Sequence, residues 1–477
     1  MMVMERKQKK QILSSSYDRS NCKIGIVHIG YGAFHRAHQA VYIDKYLEQT
    51  NDLNWGIASV NLRASESESF SYSASVPNGY ILKTTNPNNE VNLQRVRPHC
   101  DFLDLNIDTL KTEKIIAQEN VHVISITVTE SGYYLDTDFS LDTSAPIIAE
   151  ELSGGEKHSI YAFLTSSLKH RLAAHGNPLN ILCCDNIRAN GKMLERNFLT
   201  YLEHLGENDL INWIKHSVSF PCSMVDRITP RASDELKQEI ADITGSSDNN
   251  DPIHSEDFIQ WVLENNFKAP MPELNKVGVE IVNDVDPYEE AKIRILNGGH
   301  TGLCYFGAIK GYSTYDQAIA DPELRKIFDS FENEEVLPGL NMDIPFDKSA
   351  YLSEITSRFS NTAIADQLER ICMDGYSKFT IFIKPTIESC LKQGITPKFS
   401  YLCIASWYVY ARRWASGQIN IPYHEPYWEN LEPLTKEGNE EAFAQSEELW
   451  GELPKRYENF VINIINAIRE VEAKWPV

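Results

Sequence analysis

The segment that follows Asp286 contains three side chains whose types and spacing suit chemistry on a hydroxyl group. It reads PYEEAKIRILNGGH and includes Lys292, Asn297 and His300. Oxidation of an alcohol by hydride transfer needs a base for the hydroxyl proton and donors for the reacting oxygen. Lysine can be that base where burial and neighbouring cations lower its pKa. Asn297 and His300 share a helix face and Lys292 lies about two turns before His300, so the three could converge on one oxygen.

Each of these residues also has an ordinary structural explanation. A lone lysine is more often a surface residue, an Asn-Gly-Gly run more often breaks a helix, and a lone histidine is more often packed and hydrogen-bonded. The large apolar neighbours of the three are Ile293, Ile295, Leu296, Leu303, Tyr305 and Phe306. Because a solvated helix face rarely carries so many apolar side chains, the combination favours a buried functional site.

A glycine turn near the N-terminus could bind a dinucleotide. The apolar run KIGIVHI is followed by Gly30-Tyr31-Gly32 and then by an amphipathic stretch. Small residues between a strand and a helix let the backbone approach a pyrophosphate, and the helix N-terminus supplies N–H groups. His35 stands where the usual fingerprint has a third glycine, so the turn is equally compatible with a tight connection that binds nothing. His35 and His38 could suggest a metal, but beside this turn they are more typical of structural histidines.

The end of the second predicted strand bears on the choice of cofactor. The run WGIASV is followed by Asn61-Leu62-Arg63, with Glu66 and Glu68 a little later. A carboxylate at this position binds the ribose hydroxyls of NAD, whereas an arginine accommodates the 2′-phosphate of NADP. Glu66 or Glu68 could take the first role and Arg63 the second, or all could lie on a solvated loop. We expect NAD, with NADP as the alternative.

The order of predicted elements indicates an α/β protein with two domains. Buried-strand patterns at 23–29, 55–60, 121–128 and 179–184 are separated by helical patterns such as 36–48 and 159–175, which is typical of a doubly wound parallel sheet. The polar run at 245–251 predicts a surface loop. Helical patterns then follow at 288–311, 321–335, 364–374, 386–393, 401–415 and 454–474. We therefore predict a Rossmann-like dinucleotide-binding domain at 1–285 and a mainly α-helical catalytic domain at 286–477.

Composition excludes several classes of partner. The 477 residues include 45 Lys plus Arg and 67 Asp plus Glu, and the net charge of −22 argues against nucleic acid and an anionic membrane. The nine cysteines form no CxxC pair, which predicts free thiols in a reducing compartment. No apolar run approaches the roughly 20 residues of a membrane span, and the polar, basic N-terminus lacks a secretory apolar segment. We expect a cytoplasmic protein with a loosely docked N-terminal lead-in at residues 1–20.

The lysine block, K-x-x-x-x-N-x-x-H, resembles the catalytic signature of the long-chain polyol dehydrogenases, or mannitol dehydrogenase family. Residues 28–44, HIGYGAFHRAHQAVYID, are similar to the family's GxGxFxR cofactor motif, which has no third glycine. Further similar blocks follow in family order, namely TVTESGY at 127–133, CDN at 184–186, SMVDRITP at 223–230 and RICMDGYSK at 370–378. The resemblance covers most of the chain and implies NAD(P)-dependent interconversion of a sugar alcohol and its ketose.

The same resemblance implies a role for each matched residue. Lys292 would be the general base, Asn186 and Asn297 would donate hydrogen bonds to the reacting oxygen, and His300 would orient the substrate. Asp226, Arg370 and Lys378 would contact the remaining hydroxyls or the distal end of an open-chain substrate. The cofactor would contact Gly30, Gly32, Phe34, Arg36, Arg63 and Thr129. Members of this family need no zinc, and the spacing of cysteine and histidine here predicts no metal site. The resemblance also suggests a monomer.

Within the family, three stretches favour the branch that converts D-arabinitol to D-xylulose. They are IASVNLR at 57–63, FIQWV at 258–262 and EAKIRILN at 290–297. The GGHT run at 298–301 and the tail after about residue 422 depart from that branch, so mannitol to fructose stays open. So does reduction of a hexuronate such as fructuronate or tagaturonate, since Arg370 and Lys378 could pair with a carboxylate. Alternatives of other classes are a catalytically silent dinucleotide-binding module and a decarboxylating hydroxy-acid oxidoreductase.

Overall fold

The chain forms two compact units. The computed structural model describes residues 11–76, 78–136, 138–230, 232–245 and 251–476. The first unit runs to Thr85 and from Glu90 to Asp286, and the second comprises Asn86–Asn89 and the chain from Pro287 onwards. None of the helices in the described ranges combines the length and the apolar character that crossing a membrane requires.

The first unit contains all thirteen strands that the structure describes. They are β1 (Ile12–Ser14), β2 (Ile24–Ile29), β3 (Gly56–Asn61), β4 (Tyr80–Thr85), β5 (Val91–Val96), β6 (His99–Asp104), β7 (Val123–Ile126), β8 (Leu179–Cys183), β9 (Val218–Ser219), β10 (Ser223–Asp226), β11 (Ile253–Glu256), β12 (Gln260–Glu264) and β13 (Glu280–Val282). Its helices are α1 (Ala33–Ala37), α2 (Gln39–Thr50), α3 (Ser67–Ala74), α4 (Thr109–Lys114), α5 (Pro146–Leu152), α6 (Ile160–Ala174), α7 (Asn190–Leu205), α8 (Asn208–Ser217) and α9 (Asp234–Thr244).

A six-stranded sheet is the centre of this unit. Its order is β6-β3-β2-β7-β8-β9, and every neighbouring pair is parallel. All residues of β3, β7 and β8 are buried, because helices cover both faces of a doubly wound sheet. The strand order reverses between β2 and β7, and ligands of such sheets bind beyond the carboxyl ends of the strands at this switch point. The predicted α/β, Rossmann-like fold is confirmed.

The polar N-terminal segment is held more firmly than its sequence suggests. Strand β1 pairs in parallel with β5 in a second sheet, of order β1-β5-β4-β11. Tyr17 is only 5% exposed, and its hydroxyl donates to the Asp44 carboxylate over 2.7 Å. The expectation that the N-terminal segment is loosely docked is therefore wrong for residues 11–20. Residues 1–10 and most of the predicted loop at 245–251 lie outside the described residues. A third sheet has the order β10-β12-β13.

The second unit is helical. Its helices, counted from the one that crosses the unit boundary, are α10 (Asp286–Ala291), α11 (Gly298–Ile309), α12 (Tyr315–Ala320), α13 (Pro322–Ser330), α14 (Leu337–Gly339), α15 (Lys348–Phe359), α16 (Leu368–Ile371), α17 (Gly375–Lys378), α18 (Lys384–Lys392), α19 (Lys398–Ala415), α20 (Trp428–Leu431), α21 (Glu440–Gln445), α22 (Glu447–Trp450), α23 (Leu453–Arg456) and α24 (Phe460–Lys474). Helix α19 packs against α11 and α24, and its residues 400–411 are all buried. A helix that is apolar on every side becomes the core around which the others pack.

Three π-helical segments interrupt these helices, at Lys292–Asn297, Phe331–Val336 and Phe379–Ile383. The first connects α10 to α11 without a break and packs against the other two. The sequence predicts an ordinary helix over 288–311. The structure differs from this prediction in the π-helical register of Lys292–Asn297. A π-helix bonds residue i to residue i+5 and is found preferentially at functional sites.

Candidate active site

The π-helical segment places the lysine and the asparagine of the predicted site on one helix face. Lys292 is its first residue and Asn297 its last. In an α-helix, residues five apart would point roughly 140° away from each other, whereas the i to i+5 pairing of a π-helix aligns them. His300 follows three residues later in α11, and Lys292 is 7% exposed. Lys292, Asn297 and His300 thus lie on one continuous helical stretch of the second unit, and their convergence on one hydroxyl group stays a prediction.

His300 is a neutral imidazole. Its ring stacks on Phe359, with centroids 4.9 Å apart, and meets the edge of Tyr315 at 4.4 Å. Burial lowers the pKa of His300 to about 3, although the nearby Asp366 carboxylate opposes the shift. Its Nε2 lies 3.6 Å from Asp366 Oδ2, which is too long for a hydrogen bond. A neutral ring can donate through one nitrogen and accept through the other, as binding of a hydroxyl requires.

Asp366 is a residue that the sequence reasoning missed. Arg370 Nε donates to Asp366 Oδ1 over 2.9 Å, and a second guanidinium nitrogen donates to Oδ2. The carboxylate therefore neutralises Arg370 and lies beside His300. The available signal was the i,i+4 spacing of an acid and an arginine. Lys378 Nζ donates to the Ile371 carbonyl over 2.9 Å, and burial lowers the pKa of this lysine.

The two glycines of the turn after β2 have different roles. Gly30 has φ +98°, and a Cβ there would lie 2.0 Å from the Thr127 carbonyl oxygen, so side chains are excluded. Gly32 precedes α1, and among the described residues no heavy atom outside its immediate chain neighbours lies within 4 Å of a Cβ placed there. This open backbone, at the switch point of the sheet, fits the pyrophosphate of a dinucleotide.

His28 is a further residue that the sequence reasoning missed. Its side chain is hydrogen-bonded to the glycine turn after β2. Its Nε2 lies 2.9 Å from the Gly30 carbonyl, which also accepts from Thr127 Oγ1 over 2.9 Å. Burial lowers the pKa of His28 to about 3, so the ring is neutral. Because a carbonyl can only accept, Nε2 carries the proton and Nδ1 accepts from Ser125 Oγ over 2.8 Å. The turn is thereby held by one donor from β2 and one from the residue that follows β7.

His35 and His38 have structural partners, as their position suggests. The His35 ring stacks on His28 with centroids 3.3 Å apart, and its Nε2 lies 2.9 Å from His99 Nε2. His38 Nε2 lies 2.8 Å from the Gln260 carbonyl. In the part of the chain that the structure describes, no group of three or more His, Cys, Asp or Glu side chains could hold a metal ion. All nine cysteines are free thiols.

Phe34 and Arg36, which are predicted to bind the cofactor, contact other side chains of the first unit. The Arg36 guanidinium lies 5.0 Å from the Tyr31 ring and pairs with Asp251 over 2.5 Å. Phe34 stacks on the His38 ring at 5.0 Å. These contacts orient the first turn of helix behind the glycines. Direct contact of Phe34 or Arg36 with a cofactor stays a prediction.

Three other predicted residues lie where parallel strands end. Arg63 follows β3 and pairs with the exposed Glu66 over 3.2 Å. Thr129 follows β7, and Asn186 follows β8. They share the carboxyl edge of the six-stranded sheet with Gly30. Asp226 instead ends β10 of the three-stranded sheet and is 4% exposed.

Comparison with known proteins identifies the family. The family model described as the mannitol dehydrogenase Rossmann domain matches residues 24–276, and that of the mannitol dehydrogenase C-terminal domain matches residues 284–472. D-arabinitol 4-dehydrogenase of Klebsiella pneumoniae is 35% identical over 399 residues, which are 84% of this chain and 87% of that protein. Polyol:NADP oxidoreductase of Gluconobacter oxydans is 34% identical over 383 residues, covering 79% and 78%.

A solved structure agrees with these relatives. Mannitol 2-dehydrogenase of Pseudomonas fluorescens, in ternary complex with NAD and D-mannitol, superposes with a TM-score of 0.86 at 30% identity. The match covers 97% of this chain and 94% of that one. The resemblance seen in the sequence is confirmed over both units. The chain therefore belongs to the mannitol dehydrogenase family and is a polyol dehydrogenase, an oxidoreductase that acts on CH–OH groups.

Proposed function

We propose that this chain oxidises a neutral open-chain polyol to its ketose, with NAD as hydride acceptor and Lys292 as general base. D-arabinitol to D-xylulose is the favoured reaction and D-mannitol to fructose the next. The observation that carries the proposal is the π-helical register, in which Lys292 and Asn297 are five residues apart in a helix that continues to the neutral His300. The 35% identity to a D-arabinitol 4-dehydrogenase supports the choice of substrate.

The proposed chemistry divides between these side chains. Neutral Lys292 takes the proton of the reacting hydroxyl onto Nζ, while the Asn297 amide donates to the same oxygen as negative charge develops there. His300 holds and orients the hydroxyl. NAD, when bound, would supply the acceptor for the hydride of the carbinol carbon. In the direction of ketose reduction, protonated Lys292 returns its proton to the oxygen. The roles that the resemblance implies for Asn186, Asp226 and Lys378 stay predictions.

The first unit supports the choice of cofactor. The open backbone at Gly32 and the turn at Gly30 would hold the pyrophosphate. Arg63 stands where a 2′-phosphate would be bound, but its guanidinium already pairs with Glu66. That pairing favours NAD over NADP, as does the NAD bound in the mannitol 2-dehydrogenase complex. The similarity to a Polyol:NADP oxidoreductase makes NADP the alternative to be measured.

The contact between Asp366 and Arg370 supports a neutral substrate. A hexuronate would need a cation for its carboxylate, and Arg370, one of the two candidates, is already paired with Asp366 at two points. A polyol hydroxyl can bind to the same pair without breaking it. We therefore favour a sugar alcohol over fructuronate or tagaturonate.

A spectrophotometric screen tests this proposal. NAD and NADP are paired with D-arabinitol, D-mannitol, D-sorbitol, ribitol and xylitol, and NADH and NADPH with fructose, fructuronate and tagaturonate. We expect the highest kcat/KM for D-arabinitol with NAD, and a KM for the polyol that stays constant as salt rises from about 0.05 to 0.5 M, because no charge is bound. Turnover of uronates alone would contradict the proposal. NADH binding without turnover of any compound would support the silent module.

The proposed mechanism has no step that needs a metal. We expect full activity after prolonged dialysis against EDTA followed by 1,10-phenanthroline, because a lysine rather than a metal-bound hydroxide removes the proton. A zinc-dependent alcohol dehydrogenase treated in parallel is the control and should lose its activity. Loss of activity that zinc restores would refute the metal-independent mechanism.

A further inference from the structure

Thr129 has a backbone conformation that is ordinarily reserved for glycine. Its φ is 68° and its ψ is 161°. Of the described non-glycine residues with positive φ, Thr129 alone is β-branched. Side chains clash with the backbone in this region, so the conformation persists only where surrounding contacts enforce it. Such strain is found preferentially at functional sites.

One carboxylate accepts hydrogen bonds from the backbone N–H groups of Thr129 and of the residue before it. Asp185 Oδ1 accepts from the Thr129 N–H over 3.0 Å, and Oδ2 accepts from the Val128 N–H over 2.9 Å. The Tyr133 hydroxyl donates to Oδ2 over 2.6 Å and thereby orients the carboxylate. Asp185 is 9% exposed. Two consecutive backbone donors therefore depend on one buried acceptor group.

This carboxylate lies one strand away from the switch point of the parallel sheet. Thr129 follows β7, and Asp185 follows β8, next to Asn186. The Thr127 carbonyl lies so close to Gly30 that no Cβ would fit between them. Residues 127–129, which begin at this contact, thus form a wall beside the dinucleotide turn. A change in their backbone would change the shape of the crevice.

We propose that Asp185 is a positioning residue that holds Thr129 in its strained conformation and so shapes the wall of the NAD site. The inference rests on the proposed function for the identity of the ligand. It does not depend on that function for the strain itself, which is a property of the backbone at Thr129.

The test compares Asp185→Asn in the natural background and in a Thr129→Gly background. The asparagine is isosteric, but it has one acceptor oxygen and turns an NH2 group towards a backbone N–H. Glycine adopts φ 68° without strain, so a glycine at position 129 does not need the hydrogen bonds to Asp185. We expect NADH binding, measured by fluorescence titration, to weaken about tenfold or more in the natural background, and less than about twofold in the glycine background. The urea midpoint of the unliganded protein should likewise fall less in the glycine background.

A second buried carboxylate of the same unit is the matched control. Glu151 is 5% exposed and accepts from Ser159 N over 2.6 Å and from Tyr201 Oη over 2.9 Å. Glu151→Gln should lower the urea midpoint equally in both backgrounds and leave NADH affinity unchanged. If Asp185→Asn does not fold, Tyr133→Phe removes the orienting donor and should give a smaller effect with the same dependence on residue 129.

Two outcomes would overturn the inference. One is a loss of NADH affinity from Asp185→Asn that is equal in both backgrounds, since that would be a structural effect unrelated to Thr129. The other is no loss in either background. If the unmutated protein binds no NADH, the proposed cofactor is wrong. The urea midpoints in the two backgrounds still decide whether Asp185 holds Thr129 in its strained conformation.

Discussion

Lys292→Ala should lower kcat for polyol oxidation by about a thousandfold or more, while NADH binds with unchanged affinity. The expected loss follows from the removal of general-base catalysis, which contributes roughly 10²- to 10⁴-fold, together with the loss of a group that contacts the reacting oxygen. NADH affinity should persist because the proposed role of Lys292 is to take a proton from the substrate, whereas the glycine turn after β2 would hold the pyrophosphate. Stopped-flow turnover and NADH fluorescence titration measure the two quantities separately.

The controls for this variant use a second lysine and an added base. Lys326→Ala, at an exposed position of α13, should retain full activity. Methylamine should partly restore turnover to Lys292→Ala, and the restored rate should rise with pH as the free amine accumulates. Turnover of Lys292→Ala at the rate of the unmutated enzyme would show that another group removes the proton.

Gly30→Ala should abolish measurable NADH binding, with a loss of affinity of about a hundredfold or more. The new Cβ would lie 2.0 Å from the Thr127 oxygen, and φ +98° is unfavourable for alanine. Overpacking costs about 1–3 kcal/mol, and the forced positive φ adds to it. Relief of the clash must move β2 away from β7 at the switch point, where the pyrophosphate would bind. Isothermal titration with NADH and a thermal unfolding curve would report the two effects.

Gly278→Ala is a matched control because Gly278 has nearly the same φ, +100°, in the same unit. Within the described ranges, an added Cβ at Gly278 would have no neighbour within 4 Å apart from its own chain neighbours. This variant should therefore show the cost of the backbone angle alone, with unchanged NADH affinity. Equal loss of binding in the two variants would mean that the strain, and not the place of Gly30 in the fold, disrupts the cofactor site.

The parallel sheet could be predicted because its strands are buried on both faces. Such strands appear as continuous apolar runs, and the runs at 23–29, 55–60, 121–128 and 179–184 correspond to β2, β3, β7 and β8. The strands of the two smaller sheets mix polar and apolar residues in short segments, so they have no comparable signal. β1 is an example, since its three residues become ordered only by pairing with β5.

The residues of the candidate site were easier to predict than their arrangement. Lys292, Asn297 and His300 stand close together in the sequence, and their types identify the chemistry. The π-helical register does not follow from the side-chain pattern, because it arises where three such segments pack together. Asp185 binds Thr129 across 56 residues, and that contact exists only because β7 and β8 are neighbours in the sheet. Local patterns contain no information on such pairs.

The π-helical segment also contains one residue more than an ordinary helix would need to bring its two ends onto one face. Residues four apart in an α-helix share a face, because four steps of 100° exceed a full turn by only about 40°. A chain with one residue fewer between Lys292 and Asn297 could therefore close as an ordinary α-helix and keep both side chains on one face. A chain of the present length that closed as an α-helix would instead turn the lysine roughly 140° away from the asparagine. At this place the hydrogen-bond register matters more than the number of residues.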